Sequence, residues 1–292
     1  MHMFVSFYVC KFVYFSNTLI FCTQCVVIGV CGKTTLINSF LEKADTSRET
    51  LVLEYSFGRK SSQKQGIEKT ICHVWEYGGK LEMLKTVLAS IPIQRELYYC
   101  VVLDLSKIKA LWNTLEMCIQ ALKDNFSESP DYPQMIIIGG KYDLFKNYDN
   151  DIKKFICLTI RSVAMLHNAN VFFYSSKETQ LARKSKDMFY NIGFGNGIPL
   201  KEKNINYTKP LMIPKGMDSW ESIGIQASSM EQIKSRHLGR ITPETEIKRD
   251  IERLQRSHPE PILDSLAALK YEELRSMETF DPSIDDYLMA LH

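Results

Sequence analysis

Val26-Val27-Ile28-Gly29-Val30-Cys31-Gly32-Lys33-Thr34-Thr35, followed by the helical run Leu36 to Leu41, sets an apolar strand, a glycine loop and a helix start in direct succession. This is the local arrangement in which loop amides and a helix N-terminus cradle a phosphate, and it predicts a phosphate-binding loop. In such a loop Lys33 would reach the β- and γ-phosphate oxygens and Thr34 would offer its hydroxyl to Mg²⁺, with Gly29, Gly32 and Thr35 shaping the turn. The usual loop has four residues between its glycines. Here only Val30 and Cys31 intervene. A loop this short should not encircle a phosphate in the usual way, so descent from a phosphate-binding loop is the stronger expectation and retained nucleotide binding a separate, weaker one.

Outward from that loop, apolar runs bounded by turn residues recur at Cys25 to Gly29, Thr50 to Phe57, Thr70 to Trp75, Leu97 to Leu105, Met135 to Gly139 and Val171 to Tyr174, with helical spacing between most of them. Near-continuous apolar strands such as Tyr98-Tyr99-Cys100-Val101-Val102-Leu103 belong in a largely parallel sheet covered on both faces. The fold class expected is therefore α/β, with helices on both faces of a mostly parallel sheet. Thr50 to Phe57 and Thr70 to Trp75 are joined without a helical pattern, which predicts an adjacent, antiparallel pair. Their connection, Gly58 to Lys69, reads as a flexible basic loop.

The strand ends carry the remaining candidate chemistry. Glu76-Tyr77-Gly78-Gly79 has an acid and a glycine at D-x-x-G spacing. Glu76 stands where an Asp holds Mg²⁺ through water, and Gly79 where a backbone amide meets the γ-phosphate. Alone, Glu76 would be a solvated strand-end carboxylate. The next residue is Lys80, not the glutamine that orients the attacking water. Gly139-Gly140-Lys141-Tyr142-Asp143 keeps the Lys and Asp of the guanine-recognition N-K-x-D element, but Gly140 replaces its Asn. Ser175-Ser176-Lys177 lies close to the S-A-K element that completes base recognition. No threonine precedes Thr70 as a γ-phosphate sensor in the connecting stretch. Order and spacing together predict a Ras-like G domain, and the altered loop, sensor and glutamine predict a pseudo-GTPase with no catalytic residue and no required cofactor, GDP or GTP with Mg²⁺ being the ligand the edge would take if it retains one.

Composition leaves the partner open. The chain has 292 residues, 45% hydrophobic and 24% charged, with a formal net charge of +2, so no large field calls for nucleic acid or acidic lipid. Eight cysteines in a chain of this length read as free thiols rather than a disulfide framework, and Cys22 and Cys25 as chance spacing. Residues 1–24 are apolar and of uncertain role; polar Ser16, Asn17, Thr18 and Gln24 interrupt them, and a displaced start explains them about as well as a membrane segment, which is the minor reading. The domains expected are this N-terminus, a G domain over 25–195 and an extension over 196–292. In the extension, Thr242-Pro243-Glu244 opens one helix, Ile262, Leu263, Leu266, Leu269 and Leu274 mark a second, and Asp281-Pro282 starts a third.

Leu53-Glu54-Tyr55-Ser56-Phe57-Gly58-Arg59, His73-Val74-Trp75-Glu76-Tyr77-Gly78-Gly79, Val102 to Lys107, Leu111-Trp112, Ile138 to Asp143 and Ile213-Pro214-Lys215-Gly216-Met217-Asp218-Ser219-Trp220-Glu221-Ser222-Ile223-Gly224 together resemble the dynein light intermediate chains, in their dynein-2 branch. The resemblance spans roughly 26–224, and W-E-x-G-G and D-S-W-x-x-I-G are its most specific motifs. The family's glycine loop is longer, so either this copy has decayed further or residues are missing near Val30. The resemblance implies an accessory subunit that binds and stabilises the dynein-2 heavy chain alongside other dynein-2 subunits and meets microtubules only indirectly. It also implies retrograde intraflagellar transport and cilium assembly, in cytoplasm and cytoskeleton, at the cilium, axoneme and basal body. Two alternatives stand beside it: an active GTPase-type switch, and a fold in which bound nucleotide is purely structural.

Overall fold

A computed structural model describes residues 20–29, 32–43, 48, 50–61, 69–92, 97–127, 132–195, 202–243 and, within 265–273, all but 267 and 271. The chain divides into two compact units, 1–243 and 244–292.

The first unit is built on a seven-stranded sheet. Its strands are β1 (Ile20–Gly29), β2 (Leu53–Ser61), β3 (Lys69–Tyr77), β4 (Leu97–Asp104), β5 (Gln134–Gly140), β6 (Asn170–Phe173) and β7 (Met212–Ile213), in the order β2-β3-β1-β4-β5-β6-β7. β1 runs parallel to β3 and β4, β4 to β5 and β5 to β6, whereas β2 is antiparallel to β3 and β7 to β6. This is the Ras-like sheet expected, with its antiparallel second strand and one strand added at the far edge.

Helices α1 (Lys33–Leu41) and α6 (Thr179–Phe194) cover one face; α2 (Leu84–Ser90), α3 (Ile108–Phe126) and α5 (Asn150–Leu166) cover the other, and the short α4 (Tyr142–Phe145) follows β5. Strand periodicity divides the side chains accordingly: Val26 and Ile28 join Leu115, Ile160 and Phe173 in one core, while Val27, Cys100 and Val102 join Leu36, Phe40 and Phe189 in the other. Every residue of β4 is buried, which is why its sequence does not alternate. Among the described residues Cys25, Cys72, Cys100, Cys118 and Cys157 are free and buried, as read for Cys72, Cys100 and Cys118.

Three stretches differ from the sequence reading. β1 reaches back to Ile20, pairing Ile20 with Lys69, because the partner strand β3 is long enough to satisfy the backbone of residues that composition set aside. β2 continues through Gly58 to Ser61, so the first part of the expected loop is strand; residues 62–68 lie outside the described residues. Residues 202–243, grouped by sequence with the extension, supply β7, α7 (Trp220–Ile223) and α8 (Met230–Arg240), and Leu211, Ile213, Ile233 and Ile241 enter the core beneath α5. Of the helices predicted further on, Glu244, Ile262, Leu263, Leu274 and the Asp281-Pro282 segment lie outside the described residues. Residues 265, 266, 268–270, 272 and 273 are helical, with Leu266 and Leu269 exposed. No described helix is long and apolar enough to cross a membrane.

Candidate functional site

The sheet order reverses around β1, and the crevice at the carboxyl ends of the strands beside such a point is where open α/β folds bind ligands. Every sequence-predicted site residue stands on that edge. β1 ends at Gly29, whose φ of +141° and tight packing leave no room for a side chain: an added Cβ would lie 1.9 Å from the Val102 carbonyl oxygen. Gly32, left-handed at φ 70°, caps α1, and the two residues between these glycines lie outside the described residues. Lys33, only 8% exposed, turns back and donates from Nζ to the Gly29 carbonyl at 2.8 Å. Thr34 donates from Oγ1 to Glu76 Oε1 at 2.6 Å, so the hydroxyl and the acid assigned to Mg²⁺ meet between the start of α1 and the end of β3. Two hard oxygen donors suit that ion. Thr35 follows inside α1.

The turn after Glu76 has its own packing logic. Gly78 donates its amide to the Val52 carbonyl at 2.9 Å, and a Cβ there would fall 1.8 Å from the Thr50 carbonyl oxygen. A Cβ on Gly79 would fall 2.8 Å from Tyr77 Oη, and that hydroxyl donates to the Lys80 carbonyl. W-E-x-G-G is thus a motif of close backbone approach. Lys80, where a hydrolytic glutamine would stand, is exposed.

On the base side, Tyr142 donates its amide to the Tyr174 carbonyl, which draws the turn after β5 against the end of β6. Asp143 accepts from Ser175 Oγ at 2.7 Å and faces Lys177 Nζ at 3.2 Å. Burial raises its carboxyl, but the Ser175 hydrogen bond and the Lys177 ammonium outweigh that and hold it below the usual carboxylate range. Ser176 is exposed in the same turn. Lys141, left-handed at φ 57°, ion-pairs with buried Asp104 Oδ2 at 2.8 Å. Sequence reasoning assigned Asp104 no role; its position at the end of β4, on the same edge as Lys141, was the available signal. A Cβ on Gly140 would meet nothing closer than 3.4 Å, so a side chain fits there even though none is present.

The D-S-W-x-x-I-G motif lies away from this edge and is architectural. Asp218 accepts a bidentate pair from Arg161 of α5, Nε and Nη2 each at 2.7 Å. Ser219 caps α7, accepting from the Ser222 amide; Ile223 is buried and Gly224 closes the helix at φ 81°. The motif locks the segment after β7 onto α5.

No protein-family model matches the chain. Curated relatives do. The cytoplasmic dynein 2 light intermediate chain 1 of Danio rerio is 32% identical over 296 residues, covering 83% of this chain and 81% of that one. Those of Bos taurus and Homo sapiens are 34% and 33% identical over 233 residues, covering 66% of this chain and 64% of each. The crystal structure of the dynein light intermediate chain's conserved domain aligns over 75% of this chain and 89% of that one, with a TM-score of 0.47 and 11% identity. The identity to the Danio rerio protein, sustained over four fifths of both chains, places this chain in the cytoplasmic dynein 2 light intermediate chain family.

Proposed function

We propose that the chain is a non-catalytic accessory subunit of cytoplasmic dynein 2, which binds and stabilises the motor's heavy chain and thereby supports retrograde intraflagellar transport and cilium assembly. The observation that carries the reading is the relatedness to dynein 2 light intermediate chains across most of the sequence. The site supports a scaffold over a switch. Lys80, exposed and cationic, cannot accept a proton from an attacking water or orient it as a glutamine amide does. Lys33 and Lys141 are both engaged by groups of the fold, the Gly29 carbonyl and Asp104.

A guanine nucleotide with Mg²⁺, if held, would meet Gly29, Gly32, Lys33, Thr35 and Gly79 at its phosphates, Thr34 and Glu76 at the metal, and Lys141, Asp143, Ser175, Ser176 and Lys177 at the base. Bound in this way it would serve as a structural brace. The oxygen pair Thr34–Glu76 fits the metal; the shortened glycine loop and Gly140 do not reproduce the usual phosphate cradle and base loop.

The test is depletion and rescue in ciliated cells. Loss of the chain should lower the steady-state level of the dynein-2 heavy chain and shorten cilia, with wild type and Lys33→Ala restoring both equally. Unchanged heavy-chain levels would overturn the stabilising role, and rescue by wild type alone would favour a nucleotide switch.

A further inference from the structure

Among the described residues β2 is the open edge of the sheet, nine residues long and exposed along most of its length. Its sequence, Leu53-Glu54-Tyr55-Ser56-Phe57-Gly58-Arg59-Lys60-Ser61, is arranged about its middle residue, Phe57. On one face Phe57, 57% exposed, stacks beside Tyr55, 47% exposed, at 6.3 Å between ring centroids. Tyr55 continues the aromatic surface onto β3, with Trp75 at 4.8 Å and His73 at 5.9 Å, and its hydroxyl meets His73 Nδ1 at 2.8 Å. Arg59 belongs to this face by the strand period. On the other face lie Glu54 and Lys60, the latter over the Tyr190 ring of α6 at 4.9 Å.

An open edge strand presents unpaired backbone groups to any second strand, and charges along it usually repel one. Here the signs are distributed so that one pairing is selected. Two copies of β2 laid antiparallel about a two-fold axis through Phe57 set Phe57 against Phe57, Glu54 against Lys60 and Tyr55 against Arg59, each unlike pair occurring twice. Opposite charges directly across an antiparallel ladder are favourable, and a guanidinium over a tyrosine ring adds to them. A parallel pairing in the same register would set Glu54 on Glu54 and Lys60 on Lys60. A shift of the two-fold to Ser56 would take Glu54 away from Lys60.

We propose that the β2 edge is a self-pairing surface through which two copies of this chain join their sheets. This does not depend on the motor-subunit reading. Strand pairing with its flanking aromatics buries on the order of 1,000 Å² or less, at the low end for specific interfaces. The dimer is accordingly a micromolar, exchanging one that a shared partner would consolidate.

Sedimentation velocity or light scattering of the purified full chain over a concentration series tests this. Wild type should show a monomer–dimer equilibrium that weakens with added salt. Glu54→Lys and Lys60→Glu, each placing like charges opposite one another twice, should each raise the dissociation constant at least about tenfold. The double variant Glu54→Lys/Lys60→Glu reverses both members of each pair and should restore the wild-type value. Both positions are exposed, so thermal midpoints should stay near wild type. A chain that stays monomeric throughout, single reversals without effect, or a double variant that fails to recover would each overturn the proposal. A monomeric chain whose Glu54→Lys form no longer recovers the heavy chain from ciliated cells would also overturn it, assigning the edge to a partner's strand.

Discussion

Replacing Asp218 with alanine removes the carboxylate that holds Arg161. The two side chains are 6% and 9% exposed, the pairing is bidentate, and Ser222 Oγ also donates to Asp218 Oδ1. Without the carboxylate a guanidinium stays buried with one hydroxyl beside it, and breaking a buried pair from one side costs about 3–5 kcal/mol. At about 2–4 °C per kcal/mol for a domain of this size, the thermal midpoint should fall by roughly 10 °C. Substituting both members, Arg161→Met with Asp218→Leu, removes the orphaned charge and should recover most of that loss. Differential scanning fluorimetry of the purified chain reads both. The pH dependence adds a signature. Burial raises the Asp218 carboxyl, yet Arg161 and Ser222 together hold it below its ordinary 3.8. Its stabilisation is therefore complete above that value and lost as pH falls through the lowered one, so the gap between wild type and Asp218→Ala should be constant near neutrality and close only in strong acid. A midpoint change under about 2 °C at neutral pH would refute the reasoning, since 1 kcal/mol alone exceeds it.

Three further outcomes are expected. Gly29→Ala, with its Cβ 1.9 Å from a carbonyl oxygen at a φ of +141°, should cost at least about 4 kcal/mol and leave little soluble chain, read by expression and thermal melt. His237 is buried beside Trp112 and Phe155, and burial lowers its pKa to about 4 from an unfolded 6.5; His167 is lowered to about 4 as well, by burial and by nearby Lys123. Because the unfolded chain takes up these protons first, stability should decline as pH drops from about 6.5 toward 4, and His237→Phe should flatten that decline in a pH series of melts. Gly140→Asn, whose Cβ would make only ordinary contacts from 3.4 Å outward, should fold normally and raise retention of guanine nucleotide, measured by chromatography of released nucleotide, without adding GTP turnover, because Lys80 is unchanged.

The sheet was legible because its central strands are too apolar for any surface position, and the site edge because its residues sit at strand ends in a fixed order. What stayed hidden depended on partners distant in sequence. Ile20, Phe21 and Thr23 are strand-forming residue types, but where β1 begins is set by β3, which starts at Lys69 to receive Ile20. β2 runs past Gly58 into Arg59 and Lys60, polar residues that an open edge tolerates and a buried strand would not. Lys141 was read through a nucleotide-binding pattern, yet its ammonium pairs with Asp104, 37 positions earlier. D-S-W-x-x-I-G could be recognised as a signature without revealing that Asp218 answers a buried arginine on α5.

The proposed role of this chain is that of a scaffold on a dynein motor, independent of nucleotide turnover. Affinity purification of tagged wild type and Lys33→Ala from ciliated cells, with mass spectrometry of partners and chromatography of released nucleotide, tests it most directly. The account predicts a dynein heavy chain in equal yield from both forms. Absence of the heavy chain, with partners that instead depend on GTP and are lost in Lys33→Ala, would contradict it.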